Sequence, residues 1–311
     1  DPHEPFHSPK RFRNLYPTDY NGPILDWPVY DRVKETPEEI SEIRANYASL
    51  VTMVDEYFGK LLDYFDEHDL WKDTALILST DHGFMLEEHD WWGKNRMPFF
   101  NEIANIPLIL HHPNIDKNAK KRITELTQTT DIMPTILDSF NITTPNFVEG
   151  KSLLDLVNNN QKIRDAAMYG MFGAGTNITD GRYTYFRYPE DMTKEDLFDY
   201  TLMPMRQKSF YEKDVLSEAT LINDFKFAQG IPLLKIPARR NQKGQPVGHF
   251  GQGGGYEDTT TVLYDLKTDP NQDKPFNDIA IEKNLMKLLK KLMIINEAPP
   301  EAFLRLGLNN S

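Results

Sequence analysis

Residues 36–83 read TPEEISEIRANYASLVTMVDEYFGKLLDYFDEHDLWKDTALILSTDHG, and this stretch decides the fold class. Thr36 is a good helix N-cap, Pro37 sits at the first helical position, and Glu39 completes a capping box. Apolar residues follow at 40, 43, 47, 50, 54, 58, 61 and 65, in steps of three or four. That period predicts one long amphipathic helix ending near His68–Leu70, with Asp55, Asp63, Asp66 and Glu67 on a solvated face. TALILST at 74–80 is a short apolar run of the kind that forms a buried strand, and it feeds directly into Asp81-His82-Gly83.

Downstream, IPLILHH at 106–112 is a second buried strand, and a helix begins near Asp131. Residues 36–140 thus alternate helix, strand, loop, strand and helix, the signature of α/β layers with a mostly parallel sheet flanked by helices. Upstream, 7–35 is proline-broken but rich in aromatics, so it is expected to be pinned to a surface. The pattern changes after residue 160. An Asp-Gly turn at 180–181 between aromatic runs predicts a hairpin. TTTVLYDL at 259–266 reads as a strand, and 278–297 as an amphipathic helix stopped by Pro299-Pro300. Two parts are expected: an α/β core over 1–160, and a small antiparallel α+β subdomain over 161–311 with a basic loop at 225–256.

At 39% hydrophobic residues in 311, a packed core is within reach, and no run of 18 apolar residues exists to form a membrane-spanning helix. The net charge of −12 argues against nucleic-acid binding through the overall field. An anionic substrate must then be held by a local cationic cluster or a metal. The absence of cysteine excludes disulfides, zinc–thiolate sites and a cysteine nucleophile within this sequence.

Four constellations carry chemistry. Asp81-His82 follows a strand, where ligands of open α/β sheets sit; a hard oxygen and a neutral nitrogen suit a divalent cation, although the same residues fit a simple turn. Trp91-Trp92-Gly93 forms a platform that could aim Lys94 at an anion, or else the tryptophans are core and Lys94 is solvated. His3 lies in DPHEPF, where prolines restrict the backbone; it suits an anion contact or protonation of a leaving oxygen, or is an ordinary loop histidine. Residues 225–256 contain no acid and carry Lys226, Lys235, Arg239, Arg240, Lys243 and His249, a clamp for an acidic substrate or a solvated insertion.

Taken together, NYASLVTMVDEYFGKLLDYFDEHDLWKDTALILSTDHGFMLEEHDWWGKN, IPLIL, TDIMPTILDSFNI, VEGKSLLDL and LYDLKTDPNQ, in that order, resemble the C-terminal core of a type I sulfatase. These enzymes belong to the alkaline phosphatase-like superfamily, and the resemblance spans most of 1–275. It implies that Asp81 and His82 are metal ligands, that Lys94 bridges sulfate and nucleophile, and that His3 contacts the sulfate ester. The implied metal is calcium, with magnesium or manganese left open by the histidine ligand. The implied substrate is a sulfate ester, and Arg239, Arg240 and His249 of the basic loop hint at a sulfated sugar.

One departure is large. The family nucleophile is a formylglycine made from C-x-P-x-R or S-x-P-x-R, preceded by two metal-binding aspartates, and this sequence holds neither motif. The chain is therefore expected to be the C-terminal portion of a longer enzyme, partnered by the N-terminal half of the same protein. Asp81, His82 and Lys94 would form a half-site that is inactive alone, and uncovered strand edges would invite oligomerisation. Two further readings stay open: a phosphonate monoester hydrolase or phosphodiesterase of the same superfamily, and a non-catalytic module that binds sulfated glycans. Compartment is left open.

Overall fold

The structure is a computed structural model describing residues 2–94, 98–116, 122–159, 161–194, 196–205, 209–246 and 259–308. The chain divides into two compact units, 1–115 and 116–311. Among the described residues, no helix is long and apolar enough to cross a membrane.

The first unit contains α1 (Lys10–Arg13), α2 (Pro37–Glu67), β1 (Leu76–Ser79), β2 (Met85–Leu86), β3 (Trp92–Gly93), α3 (Asn101–Ala104) and β4 (Leu108–His111). The capping box forms as expected: Thr36 Oγ1 accepts from the Glu39 amide, and the Glu39 carboxylate accepts from the Thr36 amide. One face of α2 buries Ile43 and Leu50 against Phe6 and Trp92. The irregular segment before α2 is tied down along the helix, as its aromatics suggested. Ser8 and Ser49 hydroxyls meet at 2.7 Å, Tyr16 and Thr52 hydroxyls at 2.6 Å, and Asn46 Nδ2 donates to Leu25 O at 3.0 Å.

β1 and β4 are the two apolar runs foreseen as buried strands; both are strands, but their residues are only partly buried and Ile109 is exposed, and they pair antiparallel, Leu76 opposite His111 and Ser79 opposite Leu108. No parallel ladder occurs among the described residues, which corrects the expectation of a mostly parallel sheet for this part of the chain. The cause lies in the connection. A parallel neighbour needs a crossover that runs back along the sheet. Between β1 and β4 the described residues supply the β2–β3 hairpin with a 3-10 turn at Glu88–Asp90 and the four-residue α3, about 6 Å of helix, and the chain re-enters in the opposite direction.

The second unit opens with α4 (Ile132–Ser139) and α5 (Leu153–Asn159). It continues through β5 (Ala167–Gly170), β6 (Thr176–Thr179), β7 (Tyr183–Arg187), β8 (Phe198–Thr201), α6 (Lys213–Ser217), β9 (Thr220–Ile222) and β10 (Leu233–Pro237). It ends with β11 (Val262–Asp265), α7 (Ile279–Ile295) and α8 (Pro300–Arg305). An antiparallel sheet in the order β11-β7-β6-β5 packs Ile178, Tyr185 and Leu263 against Leu285, Leu289 and Met293 of α7. The Asp-Gly hairpin is present: Asp180 Oδ1 accepts from the Arg182 and Tyr183 amides, and Gly181 takes φ +94°. α7 is capped by Asp278, and Pro300 opens α8 rather than only closing the helix before it.

Two differences from the sequence expectation lie here. The division expected at 160/161 falls instead at 115/116, because α4 and α5 are bound to the sheet that begins with β5. Buried Asp131, just before α4, forms a bidentate ion pair with Arg164, and Gln128 Nε2 donates to Met168 O in β5 at 3.0 Å. The 225–256 segment is also not wholly a loop. Its residues 233–237 form β10, the centre of a β8-β10-β9 sheet, with Leu233 and Ile236 buried; residues 247–256 lie outside the described residues.

Candidate active site

Lys94 is delivered by the β2–β3 hairpin. The turn carries Glu87, His89 and Asp90 with φ of 88°, 54° and 65°. Trp91 and Trp92 then bury fully, Trp92 donating through Nε1 to Glu35 Oε2 at 2.7 Å, while the Arg32 guanidinium lies 4.4 Å above the Trp91 ring. Both tryptophans are therefore core, and Lys94 is not solvated: its side chain is 10% exposed. Gly93, at φ +111°, lies against Tyr30, whose ring would stand 2.8 Å from any added Cβ.

The DPHEPF loop meets Lys94 from the other end of the unit's sequence. Phe6 anchors it, packed edge-on against Tyr47 and Phe84 at 5.2 and 5.5 Å. This places His3 Nε2 3.3 Å from Lys94 Nζ. Glu4, fully buried, sets Oε2 3.3 Å from Lys94 Nζ and 3.1 Å from His3 Nδ1, and its Oε1 accepts from the Tyr30 hydroxyl. Burial pushes the Glu4 carboxyl up, but the Tyr30 hydrogen bond, the backbone and Lys94 together outweigh it and hold it below its ordinary value. Burial and the adjacent Glu4 carboxylate push the Tyr30 hydroxyl well above its usual range.

Asp81 and His82 stand just past the end of β1. Asp81 Oδ1 accepts from the His82 amide at 3.0 Å, and His82 Nε2 lies 3.4 Å from Asp81 Oδ2. Their side chains are 82% and 38% exposed. Partial burial raises the Asp81 carboxyl, but His82, two backbone amides and the Thr80 hydroxyl bring it below its ordinary value. Gly83 clamps the loop to α3: its amide donates to Ile103 O at 2.9 Å, and a Cβ there would fall 1.8 Å from Glu102 O.

A carboxylate oxygen and an imidazole nitrogen, side by side and open to solvent, fit two positions of a divalent cation. Among the described residues there is no group of three or more His, Asp or Glu side chains that could complete such a site.

Of the other residues singled out, Arg239 is exposed. Arg240 holds its own turn instead of presenting a free guanidinium: Nη1 donates to Gly244 O at 2.7 Å, Thr193 O at 3.3 Å and Met192 O at 3.4 Å. That differs from the substrate contact foreseen for it. All three carbonyls converge on Nη1, which fixes the guanidinium against this turn. His249 lies outside the described residues. Sequence reasoning missed Glu4 and Tyr30. Glu4 was legible only as the residue between a histidine and the Pro5-Phe6 anchor, a position that turns it inward.

Comparison with known proteins bears on this arrangement. The sulfatase family model matches residues 1–142, and the model of the N-sulphoglucosamine sulphohydrolase C-terminal region matches 87–226. An arylsulfatase of Clostridium perfringens is 26% identical over 267 residues, 80% of this chain and 53% of the relative. An N-acetylglucosamine-6-O-sulfatase of Bacteroides thetaiotaomicron is 32% identical over 128 residues, 40% of this chain and 22% of the relative. The crystal structure of the phosphonate monoester hydrolase of Agrobacterium radiobacter superposes with a TM-score of 0.58 at 18% identity, covering 95% of this chain and 55% of that one. The chain spans about half the length of the arylsulfatase or less in such relatives. Both matching family models are sulfatase models, and together with the sulfatase relatives they show that the chain is similar to the C-terminal part of type I sulfatases of the alkaline phosphatase-like superfamily.

Proposed function

We propose that this chain contributes the lysine, a histidine and two metal ligands to a hydrolase of sulfate esters. The observation that carries the proposal is the meeting of Lys94 and His3. Two residues 91 positions apart are brought within 3.3 Å, and both are backed by one buried carboxylate. Such a pair offers a developing anion a fixed positive charge on a largely buried lysine and a hydrogen-bonding group on a solvent-accessible histidine, the kind of groups that stabilise charge in acyl, phosphoryl and sulfuryl transfer.

The roles derive from the chemistry of each group. Lys94 neutralises the sulfate oxygens as a point charge. His3, once protonated at Nε2, donates to the leaving alkoxide. Asp81 and His82 would hold the divalent cation, calcium in the first instance, which when bound supplies further neutralisation of the sulfate. A formylglycine nucleophile would have to come from residues other than these 311, which include no cysteine and no S-x-P-x-R. The 311 residues alone are accordingly proposed to be inactive. The similarity to an N-acetylglucosamine-6-O-sulfatase supports a sulfated sugar as the substrate class.

Phosphonate or phosphodiester hydrolysis is the second reading, favoured by the superposition on a phosphonate monoester hydrolase. The test is kcat/KM of the full-length protein on an aryl sulfate and on an aryl phosphonate. A higher value for the sulfate, lost in His3→Ala and Lys94→Ala, supports the first reading; a higher value for the phosphonate replaces it.

A further inference from the structure

We infer that Glu4 is a positioning residue: its buried carboxylate orients the Lys94 ammonium and holds His3 as the Nδ1–H tautomer, leaving the Nε2 lone pair beside the ammonium. Two independent contacts lead to the same tautomer. Among the described residues, His3 Nδ1 faces two acceptors, both within Glu4: the backbone oxygen at 2.7 Å and Oε2 at 3.1 Å. An unprotonated Nδ1 would set lone pair against lone pair, so the proton sits there. His3 Nε2 faces Lys94 Nζ at 3.3 Å, and an ammonium has three donors and no acceptor, so Nε2 accepts. This is the less populated tautomer of a histidine side chain in water, and the surroundings must enforce it.

Glu4 is equipped to do so. Its carboxylate is cut off from solvent, and a buried carboxylate requires partners. It takes Tyr30 on Oε1 and both Lys94 and His3 on Oε2, within the acceptor capacity of one carboxylate. Phe6, two residues on and packed between Tyr47 and Phe84, fixes where the loop can lie. When His3 takes a second proton on Nε2, the same carboxylate is its counter-charge. A glutamine at position 4 keeps the shape but loses that charge and turns a donor toward one neighbour.

The consequence for turnover rests on the proposed function, whereas the tautomer is a property of the chain alone, so the two can fail separately. The test is 15N NMR of the His3 ring at a pH where it is neutral, assigned by loss of its signals in His3→Gln. The wild-type chain is expected to show the Nδ1–H pattern, and Glu4→Gln to shift it toward Nε2–H. In the full-length protein, Glu4→Gln is expected to lower kcat roughly tenfold to hundredfold with KM nearly unchanged, because it misplaces groups without removing them. An Nε2–H pattern in the wild-type chain overturns the inference whether or not any variant folds. So does an unchanged tautomer or an unchanged kcat in a folded Glu4→Gln protein. A tautomer shift in a protein that hydrolyses no sulfate ester would leave Glu4 in this role and remove the proposed function instead.

Discussion

Lys94 Nζ and Glu4 Oε2 lie 3.3 Å apart, with side chains 10% and 0% exposed. The Lys94 ammonium is thus paired with a carboxylate that solvent does not reach. Removing one member of such a pair leaves the other uncompensated. Lys94→Met is expected to destabilise the chain by about 3 kcal/mol. Adding Glu4→Gln should return most of that loss, since both charges are then gone. Urea unfolding of the single and double variants measures it, and additive losses would contradict the pairing.

Gly83 is where the Asp81-His82 loop, proposed to hold the cation, touches α3, with room for a hydrogen and not for a methyl group. Gly83→Ala must push the loop off Glu102 O and carry Asp81 and His82 with it. In the full-length protein the divalent-cation concentration needed for half-maximal activity should rise roughly tenfold or more. Unchanged cation dependence would show that Asp81 and His82 do not ligate it.

Asp131 and Arg164 join α4 to the segment leading into β5. Asp131 is fully buried, and its oxygens also accept from the Gln128 and Lys151 amides at 2.7 and 2.9 Å. Asp131→Asn leaves the Arg164 guanidinium unpaired in a largely buried position. The expected cost is about 3–5 kcal/mol in chemical denaturation, with the antiparallel sheet and α7 losing cooperativity together. A loss near zero would mean that α4 and α5 are not part of that unit.

Glu56 ties α1 to α2. Hydrogen bonds from Arg11 and then Lys60 draw its carboxyl from 4.5 down to about 2. A depressed carboxyl stabilises the fold above its unfolded pKa, and that contribution disappears as pH falls through the folded value. The tie between α1 and α2 should therefore weaken as pH falls from about 4.5 toward 2. Added salt should weaken it at neutral pH, because the groups are exposed. In Arg11→Ala, NMR titration should find Glu56 closer to its ordinary range; the same titration as wild type would refute the tie.

Much of this was legible in the sequence, for identifiable reasons. The α2 capping box, the Asp-Gly hairpin and the Asp278 cap are local, and local hydrogen bonding fixed them. The placement of Asp81-His82 just past a strand and of Lys94 just past buried tryptophans was legible, because a strand end and a rigid Trp-Trp-Gly approach constrain the residues that come directly after them. Strand direction was not legible, because β1 and β4 look alike as apolar runs whether they pair parallel or antiparallel, and only the connection decides. The unit boundary was missed because Asp131–Arg164 is a contact between residues that neither period nor composition links. Glu4 and Tyr30 were missed for the same reason: their value lies in a contact 26 positions apart. Arg240 looked like a free cation because its carbonyl partners are invisible in a list of side chains.

The most direct measurement is hydrolysis of an aryl sulfate in the presence of calcium, by the 311 residues alone and by the full-length protein, each beside its Lys94→Ala variant. The account predicts turnover by the full-length protein that falls at least roughly hundredfold in Lys94→Ala, and none by the 311 residues above their own Lys94→Ala control. Turnover by the 311 residues above that control, or full-length turnover indifferent to Lys94, would contradict it.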